Sequence, residues 1–365
     1  MKPSQRSTKL DFQPHSGPIP RMSIGDLQPT DRVVDVRTPA EFAEDHFPNA
    51  VNVPLLNDSE RVQVGTLFRV EGAQAATDWA LLQLRSRLHS FLVQLESHLG
   101  GGVRLVICCA RGGDRSRHVV QFLDDLGIAS AQLMDGYRGY RSQVRQSMKE
   151  LNFPNLFLLD GLTGTGKTRL LREVARHRPQ SVLDLEGYAE HRSSMLGDIG
   201  LQPTSQKRFE SRLYRFTQEL NEVPDWFLIE AESRKVGNRE IPLSLWQQMQ
   251  NAPRIQLTAT MEIRCRILEL DYQTADGWGP LIERLRALGP HSDYSEEEIE
   301  DLCQRLSKGE VESVAEDLLV RHYDPRYRHQ MEKFAPLKRF EIVEPESAAV
   351  SVIDFLDAVV SGQDS

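Results

Sequence analysis

The sequence predicts an α/β protein of two consecutive domains, and three observations carry that prediction. Short apolar runs alternate with amphipathic ones along most of the chain, the pattern of parallel strands covered by helices. Two apolar runs, RLVIC at 104–108 and LFLLDG at 156–161, each lead into a glycine-rich loop and then a helical pattern. Between them lies a polar stretch, SQVRQSMKELNFPN, that ends in Pro-Asn. With 365 residues the chain has material for two separate cores. The expected division is a domain over 23–145, a linker over 146–154 and a domain over 155–345. A flexible N-terminus (1–22) and a C-terminal segment (346–365) flank them.

Each element follows from local pattern. Residues 1–22 are polar and proline-containing with no apolar signal core, which predicts a loosely ordered lead-in and gives no reason to expect secretion. DRVVDVR at 31–37 reads as a short buried strand that ends in charge. Residues 39–44 start a helical turn, and NAVNVPL reads as a strand after a Pro-Asn turn. Residues 78–99 carry apolar side chains at helical spacing until three glycines at 100–102 stop them. RLVIC is a compact strand, and HVVQFLDDLG is the helix beyond its loop. In the second domain LFLLDG is a strand and TRLLREVAR a helix; SVLDLEG and DWFLIEAES are strand-like runs ending in carboxylates. From about residue 277 the pattern turns mainly helical and strongly charged, and the final SGQDS reads as a frayed tail.

Charge and cysteine usage narrow the function classes. The net charge of −9 argues against a generic nucleic-acid binder. Basic clusters at 111–117, 138–145, 167–178 and 321–339 nevertheless flank both glycine-rich loops, so an anionic substrate, RNA included, fits the distribution. The four cysteines form no CxxC pair and are too few for a disulfide framework, which suits a reducing, cytoplasmic setting. No apolar run has the length of a membrane span.

Gly161-Leu-Thr-Gly164-Thr-Gly166-Lys167-Thr168 fits the phosphate-binding P-loop without a gap. Glycines allow successive N–H groups to turn inward around phosphate oxygens. The helix opening at Lys167 adds partial positive charge, Lys167 adds a full one, and the Thr168 hydroxyl suits Mg²⁺. Asp184, Glu230 and Glu232 end strand-like runs where carboxylates contact a metal or position a nucleophile, or else serve as helix caps or surface groups.

The second loop, Cys109-Ala-Arg111-Gly112-Gly113-Asp-Arg115-Ser116, puts a thiol at a strand end before a helix. Backbone N–H groups, a helix N-terminus, Arg111 and Arg115 all favour the thiolate, the form that attacks or carries sulfur. Cys108 is expected to point into the sheet; Cys265 and Cys303 lie in helical runs and read as core. Cys109 and Arg115 also satisfy C-x5-R, the anion loop of cysteine phosphatases.

These motifs carry a resemblance. Asp35-Val-Arg37-Thr-Pro39-Ala-Glu41-Phe, followed by Asp45-His46-Phe-Pro48-Asn-Ala50-Val-Asn52-Val-Pro54, resembles a rhodanese domain. Residues 57–68 and the Cys109 loop narrow it to the bacterial tRNA 2-selenouridine synthase family, which joins a rhodanese domain to a P-loop domain. Similar motifs are Asp184-Leu-Glu186, His191-Arg192-Ser, residues 205–210 with Lys207, Glu230-Ala-Glu232-Ser233-Arg234-Lys-Val-Gly237, and Tyr323-Asp324-Pro325-Arg-Tyr327. Ala110, Asp135 and Ser193 depart from that family's usual Trp, Gly and Gly.

The resemblance implies a rhodanese-like domain followed by a P-loop NTPase-like α/β domain with a helical C-terminal part. It implies a two-stage transferase acting on the wobble 2-thiouridine of tRNA, with geranyl diphosphate and selenophosphate as co-substrates and a selenophosphate-supplying enzyme as a partner. The sulfur is alkylated by geranyl diphosphate, and selenium then displaces the S-geranyl group. Cys109 would form a selenium-bearing adduct or cradle the donor, and Lys167 and Thr168 would hold diphosphate. His191, Arg192, Lys207 and Arg234 would contact RNA or phosphate, or else form surface ion pairs. Two other readings stay open: a rhodanese-type sulfurtransferase or cysteine phosphatase fused to a P-loop kinase or NTPase, and a non-catalytic nucleotide sensor. The tracts 205–210 and 230–237 favour the tRNA-modifying enzyme, because neither alternative requires them.

Overall fold

The structure, a computed structural model, describes residues 18–100, 102–288, 292, 294–331 and 333–362. It divides into two compact units that meet in sequence between Arg145 and Gln146.

The first unit holds one parallel sheet of five strands, β1 (Arg21–Met22), β2 (Arg32–Asp35), β3 (Val51–Asn52), β4 (Leu105–Cys108) and β5 (Ser130–Leu133), in the order β1-β5-β4-β2-β3. Alternate residues of β4 serve opposite faces, as strand geometry requires. Leu105 and Ile107 join Val34, Phe91 and Leu95 in one core, while Val106 and Cys108 join Val33 and Leu133 in the other. Most of the lead-in expected over 1–22 lies outside the described residues. Its last two residues depart from the expectation: Arg21 and Met22 pair with Gln132 and Leu133 and extend the sheet. A helix over Asp58–Val70, which apolar periodicity does not reveal, is closed by an Asn57–Glu60 capping box and packs beside the long helix Ala73–Glu96.

The second unit is built on β6 (Leu156–Gly161), β7 (Val182–Leu183), β8 (Phe227–Glu230), the hairpin pair β9 (Lys235–Val236) and β10 (Arg239–Glu240), β11 (Arg254–Thr258) and β12 (Lys338–Glu341). Its main sheet is parallel in the order β12-β11-β6-β8-β7. The central strand β6 is apolar nearly throughout because helices cover both sheet faces.

Three expectations are corrected here. The run SVLDLEG is a strand only over Val182–Leu183, because Asp184 caps a short helix, Leu185–Ala189, by accepting from Gly187 N at 2.6 Å. Beyond 277 the chain is mainly helical, as expected; within it β12 pairs with β11, and the helix Pro345–Ser361 sends Val352, Ile353 and Leu356 into the sheet's core. The segment assigned to 346–365 is thus structural, with 363–365 outside the described residues. The stretch 146–154 is also no loose linker. Met148, Leu151 and Phe153 are buried, and Gln248 bonds Phe153 N at 2.8 Å and Leu151 O at 2.7 Å.

A second core, formed largely by the helices Met261–Tyr272, Gly279–Leu288, Glu296–Ser307 and Val311–Leu318 and the π turn Leu319–Tyr323, accounts for the charged helical region. Among the described residues, no helix is long and apolar enough to cross a membrane.

Candidate functional site

The P-loop occupies the carboxyl end of β6, where a parallel sheet collects its ligand-binding loops. Three of its glycines have backbone angles that favour glycine, with φ of 156°, 78° and 82° at Gly161, Gly164 and Gly166. At Gly161 a Cβ would meet Thr165 Oγ1 at 2.7 Å, so the close approach also demands glycine. The helix Lys167–His177 starts directly at the loop. Lys167 Nζ donates to Gly161 O at 2.7 Å, which holds its ammonium over the loop.

Carboxylates gather beside it. The Thr168 hydroxyl donates to Glu186 Oε2 at 2.9 Å, and Ser193 N donates to Glu186 Oε1 at 2.6 Å. Glu230, last in β8 and opposite Leu159 of β6, is fully buried, and Glu186 N approaches its Oε2 at 3.5 Å. Its other oxygen has no hydrogen-bond partner. Burial, then the Glu186 and Asp184 carboxylates, push Glu230 well above the ordinary carboxyl range. Burial and Glu186 push Glu232 up to about 8. Asp184 takes the cap reading, with Arg172 Nε at 3.2 Å. The carboxylate that reaches the P-loop threonine is therefore Glu186, which the sequence offers only as part of the Asp184-Leu-Glu186 motif. Its signal lay only in its spacing from Asp184.

The remaining candidates divide. Arg192 donates to Ile199 O at 2.9 Å and to Asp271 O, and it lies 4.8 Å from the Tyr272 ring centre. Burial lowers the His191 pKa, and its Nδ1 is buried without a hydrogen-bond partner. A Cβ on Gly237 would come within 2.7 Å of that ring and one on Gly197 within 2.8 Å, so two glycines make its slot. Arg234 donates to Ile241 O within its own hairpin. Lys207 lies half-buried in the first turn of Gln206–Glu219. The neighbouring Gln206 ties that helix to the hairpin by bonding Glu240 O at 3.0 Å and Glu240 N at 2.8 Å.

The Cys109 loop occupies the carboxyl end of β4. Cys109 is 2% exposed, and its Sγ lies 3.1 Å from Ser116 Oγ. Gln132 Nε2 holds the loop by donating to Gly112 O and Gly113 O, each at 2.9 Å, and to Ser116 Oγ at 2.8 Å. The loop lies so close to the turn at 133–137 that a Cβ on Gly136 would fall 2.1 Å from Cys109 O. Arg111 is exposed, and Arg115 Nη1 stands 3.5 Å from Glu41 Oε2. Cys108 is a buried core thiol, raised well above its usual pKa by burial. Cys265 and Cys303 are likewise buried.

Comparison with known proteins finds matches to both halves of the chain. The family model described as the tRNA 2-selenouridine synthase AAA domain matches residues 154–316, and that of the rhodanese-like domain matches 22–161. The chain is 32% identical to a tRNA 2-selenouridine synthase of Pseudomonas entomophila (strain L48) over 337 residues, covering 82% of this chain and 87% of the relative. It is 32% identical to that of Pseudomonas putida (strain W619) over 364 residues, with 89% and 94% covered. To that of Salmonella typhi it is 30% identical over 335 residues, with 83% and 90% covered.

Proposed function

The chain belongs to the tRNA 2-selenouridine synthase family, and on that premise we propose that it converts the wobble 2-thiouridine of tRNA to 2-selenouridine in two steps served by its two loops. In the first, the C–O bond of geranyl diphosphate breaks, the uridine sulfur bonds to the freed carbon, and diphosphate and the N3 proton leave. Lys167 and the N–H groups of 161–168 stabilise the charge that builds on the leaving diphosphate. In the second, selenium from selenophosphate bonds to C2 as the carbon–sulfur bond breaks and geranyl thiol departs; the selenium–phosphorus bond is then hydrolysed. We assign the handling of the selenium donor to Cys109, Arg111 and Arg115. What supports the reading is the presence, in one chain of this family, of two loops suited to anions, one with an ammonium and one with a thiol.

Mg²⁺ fits the first site. The Thr168 hydroxyl and the Glu186 carboxylate are hard oxygen donors 2.9 Å apart, and Glu230 leaves an oxygen unpartnered nearby. Among the described residues no group of three or more His, Cys, Asp or Glu is arranged to hold a metal alone, so phosphate oxygens and water would complete the shell. When bound, the ion would supply further charge neutralisation to the diphosphate. Arg192, Lys207 and Arg234, with His191, form the set we assign to tRNA or phosphate contacts.

The test is mass analysis of wobble uridine after incubation with geranyl diphosphate, then with selenophosphate. Lys167→Ala should fail to geranylate thiolated tRNA yet still selenate pre-geranylated tRNA. Cys109→Ser should geranylate normally and accumulate that product. If the unmodified protein forms neither product, the assignment fails.

A further inference from the structure

The second unit contains an apolar slot that the phosphate chemistry leaves unused. Leu268, Trp278, Leu281, Val314, Ala315 and Leu318 line it, with Tyr272 and Tyr323 beside them, and Thr163 of the P-loop completes its wall. Its volume is about 40 Å³. At ~10–15 Å³ per water-sized group, that is room for about three such groups. The Tyr272 hydroxyl is matched with Ser194 Oγ at 3.0 Å, while the buried Tyr323 hydroxyl has no hydrogen-bond partner and Glu269 stands among the lining residues.

The slot and the phosphate cradle are one braced piece. Arg264 Nε donates to Thr163 O at 2.9 Å, while its two terminal nitrogens bond Asp324 Oδ2 at 3.0 Å and Oδ1 at 2.5 Å. That ion pair is buried, with side chains 5% and 3% exposed. The loop also leans on the same helix, since a Cβ at Gly164 would meet Arg264 O at 2.9 Å. Tyr323 and Asp324 are adjacent, so one short segment forms slot wall and brace together. This gives the Tyr323-Asp324-Pro325-Arg-Tyr327 motif a physical task.

Resting on the reading that the P-loop holds a prenyl diphosphate, we propose that this slot receives the hydrocarbon chain of that substrate. The end of the chain would enter among these apolar side chains, with the diphosphate on the P-loop to which Thr163 belongs. An apolar slot walled in part by a residue of the phosphate loop suits an amphiphile with an anionic head and an apolar tail. A nucleoside, with its polar ring system, does not match so apolar a lining.

Isothermal titration of the full chain tests this with inorganic diphosphate, geranyl diphosphate and farnesyl diphosphate. Burial of about three to four of the chain's carbons predicts that geranyl diphosphate binds roughly 100-fold more tightly than inorganic diphosphate. Ala315→Leu, which narrows the slot, should cut that preference at least ~tenfold and leave inorganic diphosphate binding unchanged. Trp278→Ala, at the partly buried edge, should raise farnesyl affinity relative to geranyl, and it decides the matter if Ala315→Leu does not fold. A preference that survives both substitutions overturns the slot. So does equal binding of inorganic and geranyl diphosphate by the unmodified chain, although the P-loop reading then stands. Binding of neither overturns both.

Discussion

Glu230 and Glu232 sit in a carboxylate cluster that only the folded chain creates, and their titration follows from it. Burial first, and Glu186 second, raise Glu232 from 4.5 to about 8. Between those values the folded state keeps a proton that the unfolded chain has released, so stability falls as pH rises through that window and levels off above it. Glu232→Gln should therefore gain thermal stability relative to the unmodified chain at pH 8.5 while matching it near pH 4; parallel melting curves across pH would contradict this. Gly237 is the second residue whose role is geometric. With φ at 56° and the His191 ring in the path of any Cβ, Gly237→Ala should cost about 1–3 kcal/mol, read as a lower urea midpoint. The carboxylates were visible as residues, but which one reaches Thr168 was not. Asp184 and Glu186 are separated by one residue, and the cap at Asp184 is what turns Glu186 toward the loop.

Elements with a strong local signature were legible, and those that depend on partners were not. The helix Asp114–Asp125 and the strands β4 and β6 declare themselves through apolar pattern and the glycines beside them. β12 does not: of Lys338, Arg339, Phe340 and Glu341 only Phe340 is buried, as suits an edge strand. In the sequence the helix Pro345–Ser361 reads as set apart from the domain, from residue 346, because its partners, Leu170, Leu171 and Val174 among them, lie about 180 residues away. Leu356 is fully buried in that core. Leu356→Ala should destabilise the second unit by about 2–5 kcal/mol, measured by urea denaturation; a midpoint shift of under ~0.5 kcal/mol would show that the helix is dispensable.

Across the whole molecule, each unit has its own parallel sheet, its own cores and its own loop at the carboxyl end of a strand. Leu105 is fully buried in the first unit. Leu105→Ala should weaken amide-exchange protection throughout 105–133 and leave β6, β8 and β11 protected as before; equal loss in both units would show that they unfold as one. By itself the sequence determined the α/β class, the two loops and the family, because each rests on a contiguous run whose residue types are dictated by local backbone and charge requirements. Tertiary structure decided which carboxylate meets the P-loop, how the imidazole of His191 is flanked, that the last helix belongs to the core, and that Arg264 and Asp324 join the P-loop to an apolar slot. Those features bring together residues tens to hundreds of positions apart, and their registers are set by packing, on which local pattern carries no information.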